Sequence, residues 1–305
     1  MAEPATADVD FLVIGECVAD IVRTPGRRDR PHPGGSPANV AYGLARLGRR
    51  TALLTQLGDD PYGELIRTHL TAAGVDVLTD SRPVATPTAV VTLDEHGAAA
   101  YEFTIDWSLA ASEPPRARHV HLGSLASVRE PGAAVARRLL REARAAGATV
   151  SYDPNIRPAL FGERAAGLAA VEDCVALSDL VKASDEDLAW LYPGVPVRDS
   201  AARWLGLGPG TVIVTMGGEG AFALTADGET RIEAPPTAVV DTVGAGDSFM
   251  SAVLAVLPAA RPGPDVLARA LRTAAAAAAI TVSRAGADPP TAAELAAARP
   301  GARTG

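Results

Sequence analysis

The sequence predicts an α/β fold in which helices cover a mainly parallel sheet, with a small second sheet beside it. Short apolar runs of strand length alternate with longer helical patterns over most of the 305 residues. This alternation is typical of parallel sheets, because each parallel crossover needs a connecting helix. Several helical patterns end at a glycine, as at Gly48 and Gly74. Two β-rich stretches have no helix to cover them, and we expect them to form the separate small sheet.

The alternation begins with a buried strand over residues 11–15 and a helix over 37–47, whose apolar positions 40, 44 and 47 share one face. A strand over 52–57 and a helix over 62–73 continue it. The same criteria predict strands at 119–123, 149–153, 180–182 and 212–215, and helices at 132–146, 163–177, 185–191, 246–257 and 264–283. The last third of the chain is therefore mostly helical.

The two uncovered stretches lie in the first third of the chain. One runs from Cys17 to Arg23 and continues into a segment rich in proline and glycine that ends at Gly35. The other consists of runs at 86–94 and 98–105 joined by Glu-His-Gly, which predicts a hairpin. A sheet this small needs a surface to pack on, and a substrate or a partner subunit would provide one.

Composition excludes several classes of protein. The chain has 28 Lys and Arg against 36 Asp and Glu, a formal charge of −8, so we expect no nucleic-acid partner. Its 48% of apolar residues argues against disorder. Cys17 and Cys174 fit neither a disulfide framework nor a zinc site. The acidic N-terminus is unlike a signal peptide, and the longest apolar run, 274–282, is too short for a bilayer. We expect a soluble cytoplasmic protein without a membrane partner.

The most informative segment begins at Asp241 and reads Asp-Thr-Val-Gly-Ala-Gly-Asp-Ser-Phe-Met. Its glycines let successive backbone N–H groups converge, and an apolar helical pattern follows at once. A glycine turn that leads into a helix N-terminus is an anion site. Asp247 could simply cap that helix. Alternatively, a carboxylate on a phosphate-binding loop accepts the proton of a nucleophile that attacks the phosphate, which predicts phosphoryl transfer.

This segment resembles the C-terminal signature of the ribokinase-like (phosphofructokinase B, PfkB) carbohydrate kinases. Residues 34–48, Gly-Gly-Ser-Pro-Ala-Asn-Val-Ala-Tyr-Gly-Leu-Ala-Arg-Leu-Gly, resemble their N-terminal signature, and the likeness covers residues 10–295. The resemblance implies a three-layer α/β/α core with a mainly parallel central sheet and a small β-sheet lid over the sugar. Length alone leaves one or two domains open. The resemblance implies a single domain, 1–305, with a discontinuous lid at about 16–36 and 84–109.

By the same resemblance, the reaction is ATP-dependent phosphorylation of a sugar hydroxyl. Asp247 would be the general base, and the backbone amides of Gly244, Ala245 and Gly246 would form the anion hole. Asp20, Gly34, Gly35 and Asn39 match positions that contact the sugar in the family. Asp20 could instead be a turn acid, and Asn39 could cap the helix over 37–47. Phe103 would cover the sugar ring or belong to the hairpin core.

The nucleotide and its ions would lie toward the C-terminal third. Thr215, Gly217, Gly220 and Gly246 match contacts to ATP, and Lys182 matches a polar contact to its phosphates. Asp187 stands where relatives carry a glutamate that influences Mg²⁺, although the asparagine that usually accompanies it is missing, which leaves a direct metal role in doubt. Asp241 and Val243 match positions that hold a monovalent cation in many relatives, so K⁺ is a candidate. Alternatively, Asp241 orders the anion loop by hydrogen bonding.

Three features favour fructose as the sugar. Residues 151–160 are similar to the Asp-Pro-Asn-x-Arg segment of the fructokinase and 2-keto-3-deoxygluconate kinase branches, and residues 101–109 resemble the fructokinase lid. The hairpin has no arginine to bind a keto-acid carboxylate. Arg157 would bind an acid sugar or order the loop of Asp153 and Asn155. The alternatives are 2-keto-3-deoxygluconate, ribose and nucleosides.

Two other readings are open at this point. The kinase scaffold could serve a sugar-binding regulatory protein without catalysis, although retention of Asp247 argues against it. His119 and His121 share one face of a strand, but a third ligand at useful spacing is lacking, which disfavours a metal pair. A dinucleotide-binding oxidoreductase is excluded because G-x-G-x-x-G does not follow the first strand. We also expect a homodimer through the lid.

Overall fold

The computed structural model describes residues 8–23, 29–79, 82–93, 99–109, 113–257 and 262–298. Its strands are β1 (Val9–Ile14), β2 (Val18–Arg23), β3 (Arg30–Gly34), β4 (Thr51–Leu54), β5 (Val75–Leu78), β6 (Thr88–Leu93), β7 (Ala99–Thr104), β8 (Ala117–Gly123), β9 (Thr149–Asp153), β10 (Leu180–Ser184), β11 (Thr211–Thr215), β12 (Ala221–Thr225) and β13 (Gly228–Ile232). Its helices are α1 (Ser36–Arg46), α2 (Pro61–Ala72), α3 (Gly132–Ala145), α4 (Pro158–Phe161), α5 (Arg164–Ala176), α6 (Asp185–Leu191), α7 (Val197–Leu205), α8 (Ala245–Val256), α9 (Pro264–Val282) and α10 (Ala292–Ala297).

The central sheet has nine strands in the order β13-β12-β11-β10-β9-β8-β1-β4-β5. The strands from β11 through β5 pair in parallel, and the antiparallel hairpin of β12 and β13 extends one edge. Because parallel strands are buried on both faces, their residues read as continuous apolar runs rather than alternating ones. Strand β4, for example, is buried at all four positions.

Two apolar cores lie on opposite faces of this sheet. One contains residues of α3, α5, α6 and α7, and the other contains residues of α1, α2, α8 and α9. The prediction of a three-layer α/β/α core is therefore confirmed. Within the described ranges, none of the helices is long and apolar enough to cross a membrane.

The small second sheet, called the lid sheet below, has the strand order β3-β2-β6-β7. Ala19, Ile21 and Val90 of one face are buried in the core that also contains Ile66 of α2. On the other face Val22 and Phe103 are each 39% exposed. The predicted small second sheet is thus confirmed.

Some helices and strands of the structure were not predicted from the sequence, and two predicted segments lie outside the described residues. Strand β5, the hairpin of β12 and β13, and helices α7 and α10 were not predicted, because their apolar runs are short or their exposed faces hide the period. The predicted Glu-His-Gly turn of the hairpin and residues 24–28 of the lid lie outside the described residues.

Candidate active site

The candidate site lies where the parallel strands end. The carboxyl ends of β1, β8, β9 and β10 meet at one edge, as parallel pairing requires. The loops that follow these strands bring polar residues to that edge, and the N-termini of α1 and α8 point to it. Ligands of open α/β sheets bind in such a crevice outside the carboxyl ends of the strands.

Asp247 lies in the first turn of α8 and is 8% exposed. The helix starts from Gly244, whose φ of 75° is left-handed. A Cβ at this position would lie 2.6 Å from Cβ of Ala287, so glycine is needed for its conformation and for the close approach. The carboxylate therefore lies at the positive end of the α8 dipole.

Helix α1 holds this carboxylate from the other side. Ser36 Oγ donates to Asp247 Oδ1 over 2.6 Å, and Asn39 Nδ2 donates to Asp247 Oδ2 over 2.8 Å. One helical turn further along the same face, Gly43 meets Ser251 so closely that a Cβ on the glycine would lie 2.5 Å from Ser251 Oγ. The absence of a side chain at Gly43 therefore lets α1 approach α8 and deliver both donors to Asp247.

The turn before α8 is ordered by Asp241. Its Oδ1 accepts from Val243 N over 3.0 Å and its Oδ2 accepts from Gly286 N over 2.8 Å. These backbone donors hold the pKa of Asp241 below its usual range. Ala245 N donates to Thr242 O over 3.3 Å, a long bond inside the turn. The hydrogen-bonding alternative for Asp241 is therefore realised in the structure.

Lys182 and Asp153 form a buried ion pair beneath the same turn. Lys182 Nζ lies 2.9 Å from Asp153 Oδ2, and the two side chains are 4% and 1% exposed. Burial alone would lower the pKa of Lys182, but the neighbouring carboxylates of Asp153, Asp187 and Asp247 raise it above its usual value. A Cβ on Gly246 would lie 3.6 Å from Lys182 Nζ. A charged ammonium thus stands directly beside the predicted anion hole.

One side of the site is formed by Asp20 and His32 of the lid sheet together with Arg157. Asp20 and His32 are directly opposed across the antiparallel pair of β2 and β3, so their side chains share a face. Burial raises the pKa of Asp20 to about 6, while the charges of His32 and Arg157 oppose that rise. A Cβ on Gly34 would overlap the Asp20 carboxylate, so the glycine leaves room for this acid.

Asp187 is engaged by backbone amides on both oxygens. Ile156 N donates to its Oδ1 over 2.8 Å, and Ser184 N donates to its Oδ2 over 2.8 Å as part of a capping box at the start of α6. Asp187 therefore fastens two loops together. Within the described ranges, no group of three or more His, Cys, Asp or Glu side chains is arranged to hold a metal ion.

The predicted nucleotide-binding turn follows β11. Thr215 pairs in register with Ser184 of β10, which places the turn at the carboxyl end of the strand that carries Lys182. Gly217 and Gly220 both have left-handed φ values, 52° and 90°. A Cβ on Gly217 or Gly218 would meet no atom within 4 Å, so the backbone of this turn is open to a ligand.

Residues 10–294 match the pfkB family carbohydrate kinase. The chain belongs to this family. The predicted signatures at 34–48 and 241–247 are thereby confirmed as those of a pfkB kinase, and the chain is an ATP-dependent carbohydrate kinase.

Curated relatives and solved structures of this family agree. The chain is 34% identical over 262 residues to the fructokinase of Salmonella typhimurium, covering 81% of this chain and 84% of the relative. It is 34% identical over 281 residues to fructokinase-1 of Zea mays, covering 86% and 87%. Aminoimidazole riboside kinase from Salmonella enterica, solved with aminoimidazole riboside and an ATP analog, has a TM-score of 0.83 at 29% identity and 95% and 99% coverage. A double mutant of the Vibrio cholerae O395 fructokinase, solved with fructose, ADP and potassium ion, has a TM-score of 0.82 at 26% identity and 96% and 99% coverage.

The structure of this pfkB kinase also shows site residues that the sequence analysis missed. Ser36 lies inside the N-terminal signature, but its contact with Asp247 spans 211 residues and has no local signal. Glu16 directly follows β1 and is 2% exposed, with its Oε2 accepting from Ala126 N over 3.1 Å. Burial raises the pKa of Glu16 to about 7. The sequence predicted Asp153 only as a member, with Asn155, of the loop that Arg157 would order.

The two strand histidines of β8 contact the same serine of β9. His119 Nε2 and His121 Nδ1 both contact Ser151 Oγ, over 2.7 and 2.8 Å. Burial lowers the pKa of His119 to about 4 and that of His121 to about 3, so both rings are neutral at physiological pH. Ser151 Oγ of β9 thus bridges one nitrogen of each ring, while the buried Nε2 of His121 has no hydrogen-bond partner among the described residues.

Proposed function

We propose that this pfkB kinase transfers the γ-phosphoryl group of ATP to a hydroxyl of fructose, with Asp247 as the general base. The observation that carries the proposal is the position of Asp247 at the N-terminus of α8, held by Ser36 and Asn39 beside the ammonium of Lys182. Each carboxylate oxygen accepts one of these bonds and keeps a second lone pair, with which it can take a proton.

In the proposed step the sugar O–H bond breaks and its proton passes to the Asp247 carboxylate. The sugar oxygen that has lost this proton forms a bond to the γ-phosphorus. The bond from that phosphorus to the β–γ bridging oxygen breaks, which releases ADP. The amides of Gly244, Ala245 and Gly246 and the ammonium of Lys182 stabilise the charge on the transferring group. Such preorganised donors are worth about 3 kcal/mol each in well-studied oxyanion sites.

The sugar would lie between the lid sheet and this carboxylate. Asp20, the Gly34–Gly35 backbone and Arg157 would surround the sugar, and Phe103 would cover it from the lid sheet. Asn39 reaches Asp247, so in this proposal it orients the base while it contacts the sugar. The lid segment 84–109 contains neither arginine nor lysine, which favours a neutral sugar over a keto acid.

Mg²⁺ would enter with the nucleotide rather than through a cage of protein ligands. Asp187 uses both oxygens on backbone amides, so its influence on the metal would be indirect. When bound to the phosphates, Mg²⁺ supplies neutralisation of their negative charge. The described residues fit this arrangement, since Lys182 and the amides of the turn before α8 provide the remaining positive potential.

We also propose K⁺ as an activator near Asp241 and Val243. The fructokinase structure from Vibrio cholerae contains potassium ion, and Asp241 fastens the turn before α8 to Gly286. A cation at the carbonyls of this turn would orient the amides of the anion hole. The test is the rate with KCl against the rate with tetramethylammonium chloride at equal ionic strength, and equal rates would contradict activation.

We also propose an oligomeric state and a cellular location for this kinase. The open face of the lid sheet presents Val22 and Phe103, which supports a homodimer through the lid. Light scattering after size exclusion would give a monomer mass if this is wrong. Two buried free cysteines, Cys17 and Cys174, and the use of ATP support a cytoplasmic location.

ADP release measured with fructose, ribose, 2-keto-3-deoxygluconate, adenosine and aminoimidazole riboside tests the acceptor. The riboside is included because a similar kinase structure was solved with it. We expect the highest kcat/KM with fructose. A higher value for the riboside would replace fructose as the acceptor, and turnover of none of them would favour a sugar-binding protein without catalysis.

A further inference from the structure

The loop over residues 153–157 touches both halves of the site. It begins at Asp153, the last residue of β9, and ends at Arg157, immediately before α4. Its sequence is Asp-Pro-Asn-Ile-Arg. Its first residue pairs with Lys182 at the anion hole. The positive charge of its last residue, Arg157, opposes the rise in the pKa of Asp20 in the lid sheet. The loop therefore spans the distance between the phosphate side and the sugar side with five residues.

The two ends are joined by consecutive hydrogen bonds. Asp153 Oδ1 accepts from Asn155 N over 3.2 Å, and its other oxygen, Oδ2, pairs with Lys182 Nζ at 2.9 Å. Arg157 Nη1 then donates to Asn155 Oδ1 over 2.9 Å and to Ile156 O over 3.1 Å. A continuous series of contacts thus links Arg157, through Asn155 and Asp153, to the ammonium beside Gly246.

The middle of the loop is held in a restricted conformation. Asn155 has a φ of 38°, in the left-handed region where asparagine is one of the few residues tolerated. Ile156 N donates to the buried Asp187 Oδ1 over 2.8 Å and anchors the next peptide to the start of α6. The loop backbone is therefore held at Asn155 and Ile156, between Asp153 and Arg157.

We propose that Asp153 and Asn155 are positioning residues that couple sugar binding to nucleotide binding. A sugar that binds Arg157 changes the hydrogen bond between Arg157 and Asn155. Through Asn155, Asp153 then sets the position of Lys182 relative to the transferring phosphoryl group. This inference rests on the proposed sugar kinase function, because it needs a sugar at Asp20 and Arg157 and a phosphate at the anion hole. Coupling of this kind is reciprocal, so each ligand raises the affinity for the other by the same factor.

Two variants at one position separate the coupling from a purely structural role. Asn155→Gly keeps the left-handed backbone accessible and removes the acceptor for Arg157. Asn155→Asp also tolerates this φ and retains a side-chain oxygen for Arg157. Neither change replaces Asp247, Lys182 or Arg157. Both variants leave the anchor from Ile156 to Asp187 in place.

The experiment measures the dissociation constant of a nonhydrolysable ATP analogue by calorimetry, with and without saturating fructose. We expect fructose to tighten nucleotide binding about 5-fold or more in the wild type, within the usual range of coupling between sites. The factor should fall to near 1 in Asn155→Gly and stay close to the wild-type value in Asn155→Asp. A ratio of two constants is unaffected by a loss of folded protein, which a structural role alone would cause.

The outcomes distinguish the inference from the proposed function. A wild-type factor of 1, or an unchanged factor in Asn155→Gly, would overturn the coupling role of the loop. Failure of fructose to bind the wild type would instead contradict fructose as the acceptor, and the same measurement would then use the acceptor that gives the highest turnover. Loss of coupling in both variants would show that the Arg157 contact is not its carrier.

Discussion

At the scale of single residues, the candidate base is defined by contacts that cross the whole chain. Replacing Asp247 by asparagine keeps its size and its acceptor for Ser36 but removes the group that takes the proton. We expect turnover to fall by about 10² to 10⁴ while sugar affinity changes little, because general-base catalysis is lost and the binding groups remain. Asp265→Asn, an exposed acid in the first turn of α9, is the matched control. Near-wild-type turnover of Asp247→Asn would contradict the assignment.

The sequence predicted Asp247 but not what holds it. Its position in a glycine turn ahead of an apolar helix is a local pattern, and local patterns are visible in a sequence. The donors Ser36 and Asn39 reach it from 211 and 208 residues away. Such contacts depend on the packing of two helices, so Asn39 was interpreted as a sugar contact or a cap and Ser36 was not singled out.

The buried pair of Lys182 and Asp153 leads to a second prediction. Replacing Lys182 by glutamine leaves Asp153 without its countercharge in a site with almost no solvent. We expect the free energy of unfolding to fall by about 3 to 5 kcal/mol, as for other buried pairs that lose one partner. Changing Asp153 to asparagine in the same chain removes the unpaired charge and should restore most of this stability, but not phosphoryl transfer.

Urea unfolding monitored by circular dichroism measures these stabilities, and ADP release measures the activity. If the double variant were no more stable than Lys182→Gln alone, the ion pair would not be the source of the loss. If it regained wild-type turnover, the ammonium would have no part in stabilising the transferring phosphoryl group. The two readouts therefore test the structural and the chemical role of Lys182 separately.

Asp20 gives a third prediction, on pH. Burial raises its pKa to about 6 in the folded protein, so the carboxylate loses its charge as the pH falls through that value. A protonated Asp20 offers one acceptor fewer to sugar hydroxyls, and we expect KM for the sugar to rise below pH 6. The Asp20→Asn variant should show a higher KM that is independent of pH between 5 and 8. A wild-type KM that stays flat across this range would contradict a sugar contact by Asp20.

At the scale of elements, the close approach of α1 and α8 determines the site. Gly43 provides it, because a Cβ there would lie 2.5 Å from Ser251 Oγ and 2.9 Å from Ser251 Cβ. We expect Gly43→Ala to destabilise the protein by about 1 to 3 kcal/mol through overpacking. The same separation of the helices should draw Ser36 and Asn39 from Asp247 and lower kcat.

The control for this prediction is another helical glycine. Gly167 of α5 has no neighbour closer than 3.6 Å to a built Cβ, so Gly167→Ala should stabilise the protein by up to about 1 kcal/mol through helix propensity. Combining Gly43→Ala with Ser251→Gly removes the clash and should recover kcat. If Gly43→Ala leaves both stability and kcat at wild-type values, the approach of the two helices is less constrained than the structure indicates.

Helices and strands were predicted where the periodicity of their apolar residues was strong, and they were missed where it was weak. Helix α8 follows a glycine turn and carries an unbroken apolar pattern, and the structure has it one residue from the predicted start. The lid sheet was identified because its strands lack a covering helix. Strands β12 and β13 were missed since an edge hairpin of five-residue strands, one of them largely exposed, resembles a loop in sequence.

At the scale of the whole molecule, stability should depend on pH through the buried Glu16. Its pKa is raised to about 7 in the folded protein from an ordinary value of 4.5. Between these two values the folded state binds a proton that the unfolded state has released. The stability that this proton contributes is therefore fully present below pH 4.5 and is lost as the pH rises through 7.

Glu16→Gln removes this titration and keeps an oxygen to accept from Ala126 N. Between pH 5 and pH 8 we expect the unfolding free energy of the wild type to decrease by about 2 to 3 kcal/mol relative to that of the variant, from the size of the pKa shift. Urea unfolding of both proteins at each pH measures the difference, in which the titrations of Asp20 and Asp153 cancel because both proteins retain them. Parallel pH profiles would show that Glu16 is already ionised in the folded protein. A difference in favour of the variant that grows between pH 5 and pH 7 and levels off above pH 7 would show that the first loop after β1 holds a neutral acid in the folded protein.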